Sequence, residues 1–247
     1  MLVKSQVKYI QSLSQKKLRE QEGVFVAEGP KIINELLAAS SVALKQLFAT
    51  QEWVNSNEQL LNPVDKNKIL IISPSELIRI SALSTPHAVL GIFQNPVFKN
   101  PVNAIGCISI LLDTIQDPGN LGTILRCADW FGISQVICSE DCADAFSTKV
   151  IQSTMGSISR VQVLYTDLSG FLKKYREIPV YAAVLDGTNL YKMPKIKEGM
   201  ILIGNESKGI CPDLLTSSVH KITIPRKGKA ESLNAPVATG IILSHLT

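Results

Sequence analysis

Residues Leu111 to Gly132 read LLDTIQDPGNLGTILRCADWFG. The stretch opens on the end of an apolar run, Ile108 to Leu112, short and β-branched enough for a buried strand. The run breaks at Asp113. A turn follows at Asp117-Pro118-Gly119-Asn120, because Pro presets a turn dihedral while Gly and Asn tolerate the left-handed region. A helix is expected from Asn120, a favoured cap residue, with Leu121, Ile124, Leu125 and Ala128 at helical spacing. A strand that ends in a polar loop and feeds a helix is the unit of an open α/β sheet, and its loop edge is where such sheets bind ligands. Asn120 and Arg126 fall within two helical turns of that edge. The alternative is an ordinary βα turn with a solvated arginine.

The same rhythm continues outward. Strands are expected at 105–112, 135–138, 161–165, 179–185, 200–204 and 221–224. Helices are expected at 120–131, 145–153, 168–176, 212–218 and 236–246. Such alternation implies an α/β fold with a mostly parallel sheet covered on both faces.

Upstream, Lys4, Lys8, Lys16, Lys17 and Arg19 stand against one acid, Glu20, and Val7, Ile10 and Leu13 suggest an amphipathic helix with a basic face. Strands follow at Val24–Ala27, Leu44–Ala49, Ile69–Ile72 and Val89–Phe93. Helices are expected from Pro30 and over Pro74–Leu83. This gives a small α/β domain over 1–95, a linker over 96–104 marked by Pro96 and Pro101, and a larger domain over 105–247.

The chain has 247 residues, 45% apolar and 19% charged, enough to bury a real core. No apolar run reaches membrane-spanning length, so no membrane contact is expected, and the N-terminus lacks the apolar core of a signal peptide. Five cysteines, an odd number, argue for a reducing, cytoplasmic setting rather than a disulfide framework. Cys138 and Cys142 have no His or further Cys nearby to complete a metal site, so no metal is expected. The net charge of +4 permits an anionic partner without demanding one.

Three polar loops interrupt the second domain, each after an expected strand. The first holds Asp117 and Asn120, with Arg126 beyond. The second, Gly204-Asn205-Glu206-Ser207-Lys208-Gly209, has the glycine spacing of a phosphate loop, but Ile210 and Cys211 stand where Lys and Ser/Thr belong, so the nucleotide-phosphate reading fails. The third, PRKGKAESLN over Pro225–Asn234, clusters Arg226, Lys227 and Lys229. It reads as a solvated basic loop or, in a cleft, as a phosphate clamp. Pro236 marks the next helix start, with Asn234 or Ala235 as cap.

Together the loops resemble the three signature motifs of the SpoU (TrmH) family of RNA ribose 2′-O-methyltransferases, within the SPOUT superfamily. The first motif covers Asp113 to Arg126, the second Ile203 through Gly209, the third Ile224-Pro225 through Ser232-Leu233-Asn234. Residues 1–95 resemble the family's N-terminal RNA-binding domain through Phe25 to Gly29 and the helix after it. Arg226 and Pro236 depart from the family pattern, and neither is a residue the chemistry needs.

The resemblance implies a parallel sheet with a trefoil knot formed near 200–240, a homodimer packed through helices of the catalytic domain, and S-adenosylmethionine as cofactor. It implies a cofactor pocket of Gly204, Ile224 and Leu233, with Ser153, Met155 and Gly156 at the methionine end. It implies catalytic roles for Asn120, Arg126, Glu206, Ser232 and Asn234, and RNA contact through Lys4, Lys8, Arg226, Lys227 and Lys229. A ribose 2′-hydroxyl must lose its proton as it attacks a methyl sulfonium, and the three loops contain no His. Arg126 is the family's candidate. A guanidinium stays protonated in proteins, so Arg126 acts either as an unusual base or as a cation on the phosphate and developing oxyanion. Glu206 would fix Arg126 or its own loop. The expected activity is methylation of structured RNA, ribosomal rather than transfer RNA. A transfer RNA 2′-O-methyltransferase and a non-catalytic RNA-binding ribosome-assembly module of the same fold are the competing readings.

Overall fold

In a computed structural model, residues 2–216 and 219–247 are described. The chain forms two compact units, Met1–Lys99 with Asp144–Arg160, and Asn100–Ala143 with Val161–Thr247.

In chain order the elements are α1 (Lys4–Ser12), α2 (Lys16–Glu22), β1 (Val24–Glu28), α3 (Pro30–Ala38), β2 (Leu44–Ala49), α4 (Gln51–Ser56), α5 (Glu58–Leu61), β3 (Ile69–Ile71), α6 (Pro74–Ile80) and β4 (Val89–Gln94). Then come β5 (Ile108–Leu112), α7 (Pro118–Trp130), β6 (Gln135–Cys138), α8 (Thr148–Thr154), β7 (Gln162–Tyr165), α9 (Leu168–Lys174), β8 (Val180–Asn189), β9 (Gly199–Ile203), β10 (Val219–Thr223) and α10 (Ala235–Leu246). No helix is long and apolar enough to cross a membrane, among the described residues.

The first unit is a four-stranded sheet in the order β1-β4-β2-β3. β4 runs antiparallel to β1 and β2, and β2 and β3 are parallel. Val7, Ile10 and Leu13 pack with Val24, Val26, Leu90 and Ile92, as their spacing implied. The N-terminal segment makes two helices rather than one. Arg19, expected on a basic face, is 5% exposed. It pairs with Asp144 and donates to the Leu13 and Ser14 carbonyls, at 2.7 Å each. Burial without those partners would be prohibitive. Lys4 and Lys8 remain exposed.

Asp144–Arg160 was expected to serve the second domain, yet it packs in the first unit. Its partners explain why. Asp144 meets Arg19, Phe146 lies 5.7 Å from Phe25 ring to ring, and Arg160 Nη1 donates to Glu35 at 2.9 Å.

The second unit is a six-stranded sheet in the order β10-β8-β9-β5-β6-β7, every pair parallel. Its central strands are apolar apart from Ser109 and are buried on both faces. One face packs Leu111, Ala182, Met200 and Leu202 against Leu168, Phe171 and Leu214. Leu121, Leu125 and Ala128 of α7 and Ile242 and Leu243 of α10 are likewise buried.

The topology fixes the ligand edge. From β5 the chain moves outward through β6 to β7, then returns to the other side, where β9 inserts beside β5. The order reverses between β5 and β9, and crevices open at the C-terminal ends of strands at such a point. All three polar loops leave that edge, after β5, β9 and β10. The helix expected over 212–218 is only a 3-10 turn at Pro212–Leu214, with 217 and 218 outside the described residues. Pro212 starts that turn, and no apolar periodicity extends it.

Candidate active site

The first loop begins where β5 ends. Asp113 stays in register with β9 through its N–H to the Ile203 carbonyl at 2.9 Å, and its Oδ2 accepts from Cys211 N–H at 2.6 Å. Asp117, not Asn120, caps α7. Its Oδ1 accepts from Asn120 N–H at 2.9 Å, and Pro118 takes the first helical position. The difference matters chemically, because a capping side chain is turned back on its own helix. As the third helical residue, Asn120 instead points its amide outward.

That amide joins all three loops. Asn120 Nδ2 donates to Glu206 Oε1 of the second loop at 2.5 Å. Asn120 Oδ1 accepts from Asn234 Nδ2, at the end of the third, at 3.0 Å. Three of the five expected catalytic residues are thus brought together. Arg126 lies six residues beyond Asn120, roughly 120° round the helix at 3.6 residues per turn. It is exposed and makes no hydrogen bond or ion pair among the described residues. Glu206 therefore holds Asn120 rather than Arg126. Ser232 is exposed and likewise without a hydrogen bond among the described residues.

The second loop is closed on itself. Asn205 N–H donates to Gly209 O at 3.0 Å, and Gly209 N–H returns to Asn205 O at 2.9 Å. Asn205 Oδ1 accepts from the amides of Ser207 and Lys208 at 2.9 and 3.0 Å. Those two amides are unavailable to a phosphate, which agrees with the missing phosphate-loop lysine. A Cβ on Gly204 would stand 2.4 Å from the Gly209 carbonyl carbon, so only glycine fits. Asn205 Nδ2 reaches back to the Thr114 carbonyl at 2.8 Å. Sequence reasoning passed over Asn205, although an Asn just ahead of a turn commonly bonds the backbone two residues on.

The third loop is open. From Arg226 to Leu233 no backbone amide bonds other backbone, among the described residues. Arg226 Nη1 donates to the Ala230 carbonyl at 3.2 Å, and Lys227 and Lys229 are exposed. Leu233 is 45% exposed. Unpaired backbone donors and acceptors beside accessible apolar side chains, Leu233 and the half-buried Ile224, are the set that an adenine ring and a thioether chain require.

Residues 107–244 match the model of the SpoU rRNA Methylase family, and residues 4–91 that of the MRM3-like substrate binding domain. The chain belongs to the SpoU rRNA methylase family. It is 28% identical over 243 residues to the 23S rRNA (guanosine(2553)-2′-O)-methyltransferase RlmP of Bacillus subtilis, covering 97% of this chain and 95% of the relative. Among solved structures, it is similar to a putative RNA methyltransferase of the TrmH family from Porphyromonas gingivalis. That likeness is 36% identity and a TM-score of 0.85, over 100% of this chain and 98% of the other. An AdoMet-bound rRNA methyltransferase from Sinorhizobium meliloti is 30% identical, with a TM-score of 0.83 over 100% and 95% of the two chains.

In this SpoU methylase the remaining expected cofactor residues, Ser153, Met155 and Gly156, lie in the first unit. Ser153 Oγ donates to Lys149 O within α8 at 2.9 Å. Gly156 has φ +96°, and a Cβ there would stand 2.6 Å from Glu35 Cβ. The structure gives that glycine a packing reason of its own.

Proposed function

We propose that this chain transfers the methyl group of S-adenosylmethionine to a ribose 2′-hydroxyl of ribosomal RNA. The observation that carries the reading is the convergence of Asn120, Glu206 and Asn234, one from each loop, at the ligand edge of the parallel sheet. Gly204, Ile224 and Leu233, with the unpaired backbone of the third loop, would hold the cofactor. When bound, it supplies an electrophilic methyl on a sulfonium and leaves as a neutral thioether. The ribose oxygen would form the new C–O bond as the methyl–sulfur bond breaks and would pass its proton to solvent water.

Arg126 is free to take an RNA phosphate and to stabilise the oxyanion that develops. A guanidinium favours that cationic role over proton removal. Asn120 orients the ribose, with Glu206 and Asn234 fixing both ends of its amide. Ser232 positions the hydroxyl. Lys4 and Lys8 of the 1–95 domain grip RNA, with Arg226, Lys227 and Lys229 beside the site.

The protein is further proposed to be a cytoplasmic homodimer, knotted through 200–240. Trp130 at the end of α7 is 83% exposed and Val237 of α10 49%, apolar surface that a second copy would cover. The decisive experiment incubates the full chain with ribosomal RNA and methyl-labelled S-adenosylmethionine, then maps the label. Label on one ribose is the expected result. Tight RNA binding with no transfer would favour the non-catalytic module instead.

A further inference from the structure

Thr114, in the first loop, has φ +57°. A β-branched residue rarely adopts that left-handed conformation, and such an outlier persists only where its surroundings hold it. Here the surroundings are specific. Thr114 N–H donates to Ser139 Oγ at 2.8 Å, and Ser139 Oγ donates to Asp141 Oδ1 at 2.6 Å. The Thr114 hydroxyl is shared between Asp113 Oδ1 at 2.9 Å and Asp141 Oδ2 at 3.0 Å. Asp141 therefore closes a ring around the strained residue, and it lies outside all three loops.

The strained backbone has a use. It aims the Thr114 carbonyl at Asn205 Nδ2, 2.8 Å away. Asn205 Oδ1 gathers the amides of Ser207 and Lys208, and the residue between Asn205 and Ser207 is Glu206, which holds Asn120.

We propose that Asp141 is a positioning residue of this site, locking Thr114 left-handed so that its carbonyl sets the register of the second loop through Asn205. This rests on the methyltransferase reading given above. Asp141 acts through Thr114. The Ser139 hydroxyl, then the Thr114 hydroxyl and the charge of Lys208, hold its carboxyl below the ordinary aspartate range, so it is an ionised acceptor at neutral pH.

The test is a double-mutant cycle on the full chain with Asp141→Ala and Thr114→Gly. Glycine takes φ +57° unaided, so it makes the clamp dispensable. Two readouts are needed. Amide hydrogen exchange at Ser207 and Lys208 reads the loop without any ligand. The affinity for S-adenosylhomocysteine, with kcat and KM for RNA, reads the site. Asp141→Ala is expected to speed exchange at both amides and to weaken the thioether product and kcat by about 10- to 100-fold, leaving KM for RNA unchanged. Adding Thr114→Gly restores both readouts to the level of Thr114→Gly alone. Unchanged exchange in Asp141→Ala overturns the proposal, as does a double variant no better than Asp141→Ala. An inactive wild-type chain whose exchange follows the expected pattern would instead overturn the methyltransferase reading and leave the clamp standing.

Discussion

The second and third loops leave the same edge of the same sheet and are built in opposite ways. Gly204–Gly209 satisfies the amides of Asn205, Ser207, Lys208 and Gly209 from within, closes with a reciprocal backbone pair and is tied to Thr114. Residues 226–233 make no backbone pair at all among the described residues, and expose three cations and a leucine. A loop whose polar groups are spent on itself positions other groups; a loop whose groups are unspent binds. Asn120 is bonded to both, to Glu206 on the closed side and Asn234 on the open side.

The largest effect is expected at the residue neither loop holds. Arg126 is exposed and makes no hydrogen bond or ion pair among the described residues, so Arg126→Ala should fold and bind cofactor like wild type. Its kcat should fall by about 10²- to 10³-fold, the loss expected on removing one transition-state donor. Arg126→Lys separates the mechanisms. If the planar fork acts on phosphate and oxyanion, Lys stays slow at every pH; if the side chain acts as a base, activity recovers as pH rises toward the lysine pKa. Wild-type rates in Arg126→Ala would return the chemistry to the loops and break the division drawn between them.

Next in size is Gly204→Ala. The added methyl meets the backbone of Gly209 and Ile210 at 2.4–2.6 Å, where no flexible side chain can give way. Overpacking of this kind costs about 1–3 kcal/mol. Chemical denaturation should show the loss, and calorimetry should show cofactor binding abolished. The same change at Gly228, with nothing within 4 Å of its Cβ, should alter neither. Equal tolerance at both positions would erase the contrast between a closed and an open loop.

Much of this was legible in the sequence, for identifiable reasons. Gln135–Cys138 forms a strand with the expected bounds because a short β-branched and apolar run has few other solutions, and Leu44–Ala49 forms one with the expected bounds although Lys45 and Gln46 interrupt it. The three loops were legible because each breaks an apolar run with charge and glycine. Two kinds of feature were not. The cap of α7 lies three residues, nearly one turn, ahead of the expected Asn120, since Asp117 and Asn120 are both good caps; Pro118, at its best in the first helical position, decides for Asp117. The destination of Asp144–Arg160 depends on partners a hundred residues away, Arg19, Phe25 and Glu35, and secondary-structure periodicity carries no such address. The short helices Gln51–Ser56 and Glu58–Leu61 were passed over because neither is long enough to show a period.

A smaller effect sharpens the open side. Arg226, Lys227 and Lys229 are exposed, so replacing each with Ala should leave folding intact. Each neutralised phosphate that is lost should lower the slope of log affinity against log salt by about 0.7–0.9, with a modest loss of affinity at any one salt concentration. Filter binding of ribosomal RNA across a salt series is the measurement. Glu206→Gln in the closed loop should leave that slope untouched, and a slope that moved equally for both would deny the third loop its special role.

The smallest effect tests the closed side by pH. Asp141 is held below the ordinary 3.8 of an aspartate, first by the Ser139 hydroxyl and then by Thr114. A carboxyl whose pKa is depressed on folding contributes stability that is fully present above the unfolded value. That contribution fades as pH falls through the folded one. The stability difference between wild type and Asp141→Ala should therefore be flat from pH 7 down to about 4, and should shrink only in stronger acid. Because Asp141 is exposed and water competes for its oxygens, the difference is small. Urea titrations at matched pH, run in parallel on the two proteins, resolve it. A difference that shrinks already between pH 7 and 5 would mean that a group with a higher pKa supplies the anchor. The hold on Thr114 would then have to be reassigned away from Asp141, most directly to the Cys142 thiol, which accepts from Ile115 N–H at 3.2 Å and is lowered to about 7 by the hydrogen bond with Cys138.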